Sequence, residues 1–148
     1  MADVRALIVD DHVVVRDALR GLLARAGIDV VAEASNLSDA VAQARKAKPD
    51  VLILDAILPD SPGLTPLMTL SKSLPDTAIV YLGSDPDQHY AEQALHAGAA
   101  RYVAKEDADT ELAPLIAQLV GEDSRVARSP QGRATVHARR QGPVASPQ

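Results

Sequence analysis

The sequence predicts an α/β fold: one five-stranded parallel sheet, doubly wound, with helices on both faces. Three observations point to it. Short apolar runs such as Ala6-Leu7-Ile8-Val9 and Val51-Leu52-Ile53-Leu54 alternate with stretches whose apolar residues recur at helical spacing. The connections between them are short, as parallel strands joined by helices require. Asp10, Asp11, Asp55, Gly83-Ser84 and Lys105 each follow a strand-like run, so they fall at the sheet edge where functional groups gather.

Residues 5–10 read as the first strand. From Val13 to Ala26, Val15, Leu19, Leu22, Leu23 and Ala26 mark one helical face, and Gly27 supplies a stop. A short second strand covers 28–32. Asn36 or Ser38 caps the second helix, Ala-rich through Ala47 and ended by Pro49. The run 51–54 suits a strand covered on both faces. A loop with Pro59, Pro62 and Gly63 leads to a helix over about 64–73. A fourth strand covers Thr77–Leu82 and a fourth helix about 88–97, stopped by Gly98. The fifth strand spans Ala100–Ala104 and the fifth helix about 108–120.

A chain of 148 residues, 47% hydrophobic and 24% charged, fits one globular domain. Its only aromatic residues are three Tyr, so aliphatic side chains must build the core, and stacking platforms for single-stranded nucleic acid are lacking. Cysteine is absent, which excludes disulfides and thiolate metal sites. No apolar run reaches the roughly 18 residues a membrane span needs, and the N-terminus does not resemble a signal peptide. A cytoplasmic location is expected. The net charge of −5 divides unevenly: residues 1–123 carry −10, while 124–148 hold five Arg and no acid. The acidic part repels DNA. The stretch 124–148 is rich in Pro, Gly, Ser and Gln without apolar periodicity, and is expected to be a disordered basic tail behind a domain at 1–123.

Two parallel strands would deliver Asp10, Asp11 and Asp55 to one edge. Three crowded carboxylates repel unless a cation joins them, and Mg²⁺ prefers hard oxygen ligands. With the charge balanced, one carboxylate is available as a nucleophile toward a phosphoryl group.

Three segments then carry a family resemblance over residues 4 to about 120. ALIVDDHVVVRDALRGLLARAG resembles the opening of NarL/FixJ-type response regulators. DAILPDSPG is similar to the family's phosphoacceptor loop, with Pro59 four residues and Gly63 eight residues after Asp55. GAARYVAKED is similar to the segment with an aromatic, Tyr102, three residues before an essential Lys, Lys105. The sequence is therefore identified as resembling the receiver domain of bacterial two-component systems, with the flavodoxin-like (βα)₅ fold. The resemblance implies that Asp55 accepts a phosphoryl group from a sensor histidine kinase. It implies Asp11 as a direct Mg²⁺ ligand, Asp10 as one acting through water, and Asp55 and the backbone carbonyl of Ile57 as further ligands. Lys105 would neutralise a phosphoryl oxygen, and the chain would act as a phosphorylated signalling protein rather than an enzyme. Its output would pass through a protein partner or a dimer at the fourth helix, fifth strand and fifth helix, in the setting of transcription regulation.

Two departures qualify the match. The family's switch hydroxyl lies 28 residues after the acceptor and 22 before the lysine, which is position 83, a Gly. Ser84 substitutes if the strand end shifts by one residue; otherwise it is a loop residue. Asp85 adds an acid nearby. Tyr102 is either the switch aromatic or a tyrosine with a buried body and a wet hydroxyl. Secondly, the helix-turn-helix output domain of the subfamily has no counterpart after about residue 123, so no folded DNA reader is expected. The competing expectation is a phosphorylation-independent pseudo-receiver that binds or dimerises. An aspartyl phosphatase would need a general acid at position 57, which is Ile, and a flavodoxin would need a Ser/Thr/Gly-rich loop where Asp10-Asp11-His12 stands.

Overall fold

A computed structural model describes residues 3–61, 63–84 and 88–126, with the side chains of 88, 89 and 122–126 outside that description. The strands are β1 (Arg5–Val9), β2 (Asp29–Ala34), β3 (Val51–Asp55), β4 (Ala78–Gly83) and β5 (Arg101–Ala104). The helices are α1 (Val13–Arg25), α2 (Leu37–Ala47), α3 (Thr65–Ser73), α4 (Gln88–His96) and α5 (Ala108–Val126), with a 3-10 turn at Lys105–Asp107 before the last. All strand pairs are parallel, in the order β2-β1-β3-β4-β5. The expected five-stranded, doubly wound sheet is what the chain forms.

Period-two alternation sorts the strand side chains onto two faces. Leu7, Val9, Leu52, Leu54, Ile79 and Tyr81 enter one core, closed by Ala40 and Ala44 of α2, Leu67 and Leu70 of α3, and Ala94 of α4. Ala6, Ile8, Val51, Ile53, Val80 and Leu82 enter the other, closed by Leu19 and Leu23 of α1 and by Leu112 and Ile116 of α5. Because both faces of β3 are covered, all five of its residues are buried, as its unbroken apolar run requires.

The helix ends follow local chemistry. Gly27 has a φ of 80°, and Gly27 N donates to Ala24 O while Ile28 N donates to Leu23 O, closing α1 with a Schellman motif. Leu23 and Ile28, the residues that this motif brings together, are both buried. Of the two candidate caps for α2, Asn36 is the one used: its side chain accepts from Asp39 N at 2.8 Å.

Two boundaries moved by more than one residue. The strand expected at 28–32 runs on to Ala34, because Asp10 N donates to Ala34 O at 3.0 Å and prolongs the pairing, after a bulge that steps from Val30 to Ala32. The fifth helix, expected to end near 120, continues to Val126 and takes in three residues of the anticipated tail. Gly121 falls within that extension, and one glycine costs about 1 kcal/mol without ending a helix. The rest of the expected tail, 127–148, lies outside the described residues. No described helix is long and apolar enough to cross a membrane.

Candidate functional site

In the order β2-β1-β3-β4-β5, β1 connects outward to β2 on one side while β3 carries the chain to the other. A crevice forms beyond the carboxyl ends of β1 and β3, where the winding reverses. β1 pairs with β3 up to Val9–Leu54, so Asp10 and Asp55 leave neighbouring strands at the same level. Asp10 is 1% and Asp55 2% exposed. With Asp11 and His12 they offer ligand atoms that all lie within 4.8 Å of one another.

Asp55 Oδ1 is tied down twice. Lys105 Nζ, delivered by the turn after β5, stands 2.7 Å from it, and Ile57 N donates to it at 3.2 Å. Burial pushes the Asp55 carboxyl above the ordinary carboxylate range; the Lys105 and Ile57 hydrogen bonds oppose this, and the Asp10 charge reinforces it. Asp10 Oδ1 accepts from His12 N at 2.8 Å, and the His12 ring Nδ1 stands 3.2 Å from the same oxygen. Asp10 Oδ2 and Asp55 Oδ2 are buried without a hydrogen bond among the described residues, and the equally buried Asp11 Oδ1 has only the His12 ring Nδ1 beside it, at 3.2 Å. Buried acceptors left bare are costly. An all-oxygen set of this kind fits a hard divalent cation, which removes that cost and the mutual repulsion together.

The other expected residues are placed as follows. Ile57 exposes 66% of its surface, and the contact seen there is its backbone N–H on Asp55. The β4–β5 register runs without a shift to Gly83–Ala104, and Ser84 is exposed on the bend beyond it. Tyr102 lies on β5 opposite Tyr81, half-buried, inside a cluster with Tyr81 and Tyr90. Asp85 lies outside the described residues.

Sequence reading missed three supports. Arg16 of α1 donates from Nη1 to the Asp10 backbone carbonyl and from Nε to Glu33 Oε1 at 3.1 Å. Glu33 of β2 also receives Arg20 Nε at 2.6 Å, so two arginines and one acid lock the end of β1 against β2. Asp60 of the β3–α3 loop accepts from Leu37 N at 3.2 Å, anchoring the segment after Asp55 to the first residue of α2. Arg16 stood within the quoted motif, whereas Glu33 and Asp60 gave no local signal, because their partners are 17 and 23 residues away.

The profile of the response regulator receiver domain matches residues 6–117. The chain is 42% identical over 105 residues to a protein-glutamate methylesterase/protein-glutamine glutaminase of Archaeoglobus fulgidus, covering 70% of this chain and 30% of that protein. It is 40% identical over 111 residues to the DNA-binding transcriptional activator DevR/DosR of Mycobacterium tuberculosis, covering 74% and 51%. It thus spans about half, or less, of the length of these curated relatives. The signal receiver domain of the putative response regulator NarL from Mycobacterium tuberculosis superposes with a TM-score of 0.73 at 26% identity, covering 82% of this chain and 98% of that one. Strand order, acidic edge and sequence profile agree: the chain belongs to the response regulator receiver domain family.

Proposed function

We propose that the protein accepts a phosphoryl group on Asp55, donated by a phosphohistidine of a sensor histidine kinase, and signals through protein contacts. The observation that carries this reading is the asymmetry at Asp55. Oδ1 is occupied by Lys105 and Ile57 N, while Oδ2 is buried with no hydrogen-bond partner among the described residues. An Asp55 carboxylate oxygen forms the bond to phosphorus as the bond to the donor nitrogen breaks, the nitrogen keeping the electron pair. Lys105 holds the carboxylate and balances charge on the transferred group. Arg16 and the His12 N–H hold Asp10 in place from its two sides, by backbone and by side chain. Asp10, Asp11, Asp55 and the Ile57 carbonyl would hold Mg²⁺, which supplies charge neutralisation to the phosphoryl oxygens. This is a phosphoacceptor rather than a turnover enzyme, acting in the cytoplasm, with α4, β5 and α5 as the face offered to a partner or a second copy.

The test is exposure to Mg²⁺ and acetyl phosphate, followed by intact-mass spectrometry. One phosphoryl group is expected on the wild type and none on Asp55→Asn. An unlabelled wild type beside a receiver that labels in parallel would refute the reading. Gly83, which lacks a switch hydroxyl, favours a second reading in which the fold binds its partner without phosphorylation. Partner binding that is retained in full by Asp55→Asn would select that alternative.

A further inference from the structure

The position of the family's switch hydroxyl falls on Gly83, and the space left by its missing side chain is filled. A Cβ built on Gly83 would stand 2.7 Å from both Cε1 and Cζ of Tyr102, and closer still to the Tyr102 hydroxyl oxygen. Real Cβ atoms essentially never approach other heavy atoms within 3.0 Å. This placement of Tyr102 and any side chain at position 83 therefore exclude each other. Tyr102 pairs with Tyr81 across β4 and β5, yet its hydroxyl reaches over Gly83, two residues nearer the carboxyl edge. At that edge Leu82 pairs with Asp55, and Lys105 meets the Asp55 carboxylate.

The ring is held in this position by its own kind. Tyr90 of α4 packs edge-on against Tyr102 with centroids 5.8 Å apart, and Tyr81 packs against it at 6.2 Å. Every aromatic residue of the chain is in this one cluster. Tyr81 is buried, and its hydroxyl donates to Ala56 O at 3.4 Å. Ser84 lies past the strand end and is exposed.

We propose that the Tyr102 hydroxyl, standing in the volume vacated by Gly83, is the hydroxyl that binds the phosphoryl group on Asp55. The inference rests on phosphorylation of Asp55 as proposed above. A phosphoryl group presents a charge of about −2 and strong acceptor oxygens, to which a hydroxyl donates more strongly than to a neutral acceptor. Here the donor comes from β5 instead of β4. The residue that senses the phosphoryl group and the aromatic residue bordering the α4–β5 surface are then one side chain, and no relay between two is needed.

The experiment measures phosphoryl incorporation from acetyl phosphate with Mg²⁺, and the lifetime of the product, by intact mass on the full chain. Wild type, Tyr102→Phe, Tyr102→Ala, the double variant Gly83→Thr/Tyr102→Ala and Asp55→Asn are compared, with circular dichroism confirming that each is folded. Tyr102→Phe keeps the ring and is expected to lose about tenfold in incorporation rate or product lifetime. The double variant returns a hydroxyl from β4 and is expected to recover most of what Tyr102→Ala loses, which a purely structural role for the ring would not allow. Tyr102→Phe equal to wild type, or a double variant no better than Tyr102→Ala, overturns the inference while the labelling of Asp55 stands. A wild type that takes up no phosphoryl group overturns both.

Discussion

Asp10→Asn should make the metal-free protein more stable, although Asp10 is among its most deeply buried polar groups. Asp10 and Asp55 are 1% and 2% exposed, with ligand oxygens within 4.8 Å of one another. Two unit charges at that separation repel by about 3 kcal/mol at an effective dielectric constant of about 20. Lys105, paired with Asp55 at 2.7 Å, offsets part of that repulsion. The amide of Asn keeps an acceptor for the His12 N–H, now received at 2.8 Å by Oδ1, and places a donor where Oδ2 has no partner. A net gain of about 1–2 kcal/mol is expected, roughly 3–8 °C in Tm for a domain of this size. Thermal unfolding followed by far-ultraviolet circular dichroism, with a chelator and then with Mg²⁺, reads both sides of the argument. With Mg²⁺ at ten times its Kd the wild type should gain about 1.4 kcal/mol. The variant, short of one ligand, should gain much less. An Asp10→Asn protein that melts no higher than wild type in chelator and responds equally to Mg²⁺ would refute both the repulsion and the metal assignment.

Lys105→Ala leaves Asp55 Oδ1 with only the Ile57 N–H, and phosphoryl incorporation should fall about a hundredfold with the fold intact, as judged by labelling rate and circular dichroism. Asn36→Ala removes the α2 cap and should cost about 1 kcal/mol in urea unfolding, whereas Asn36→Asp should be near neutral. The Arg20 hydrogen bond holds the Glu33 carboxyl below its ordinary value against the opposing effect of burial. A depressed acid contributes stability that is present above the unfolded value near about 4.3 and is lost as pH falls through the lower folded value. Glu33→Gln should therefore flatten that acid limb in a stability-versus-pH series; an unchanged limb would count against the two-arginine clasp.

Local pattern carried most of the architecture. Gly27 and Gly98 mark helix ends because each takes a positive φ, and the unbroken run 51–54 marks the central strand because both its faces are covered. The site was legible to the extent that its residues follow strands directly: Asp10, Asp11, Asp55 and Lys105 need only the rule that parallel strands end on one edge. Glu33 and Asp60 were not legible, since their roles exist only after β2 and the β3–α3 loop have docked on other elements.

Position 83 divides the two levels most clearly. The amino-acid sequence alone determined the fold class, the acidic edge and the absence of a side-chain hydroxyl at the end of β4. Tertiary structure alone decided what stands there instead. Steric exclusion is a property of three-dimensional neighbours, and the Tyr102 ring fills the gap only because β5 lies beside β4 in unshifted register and Tyr90 packs against it from α4.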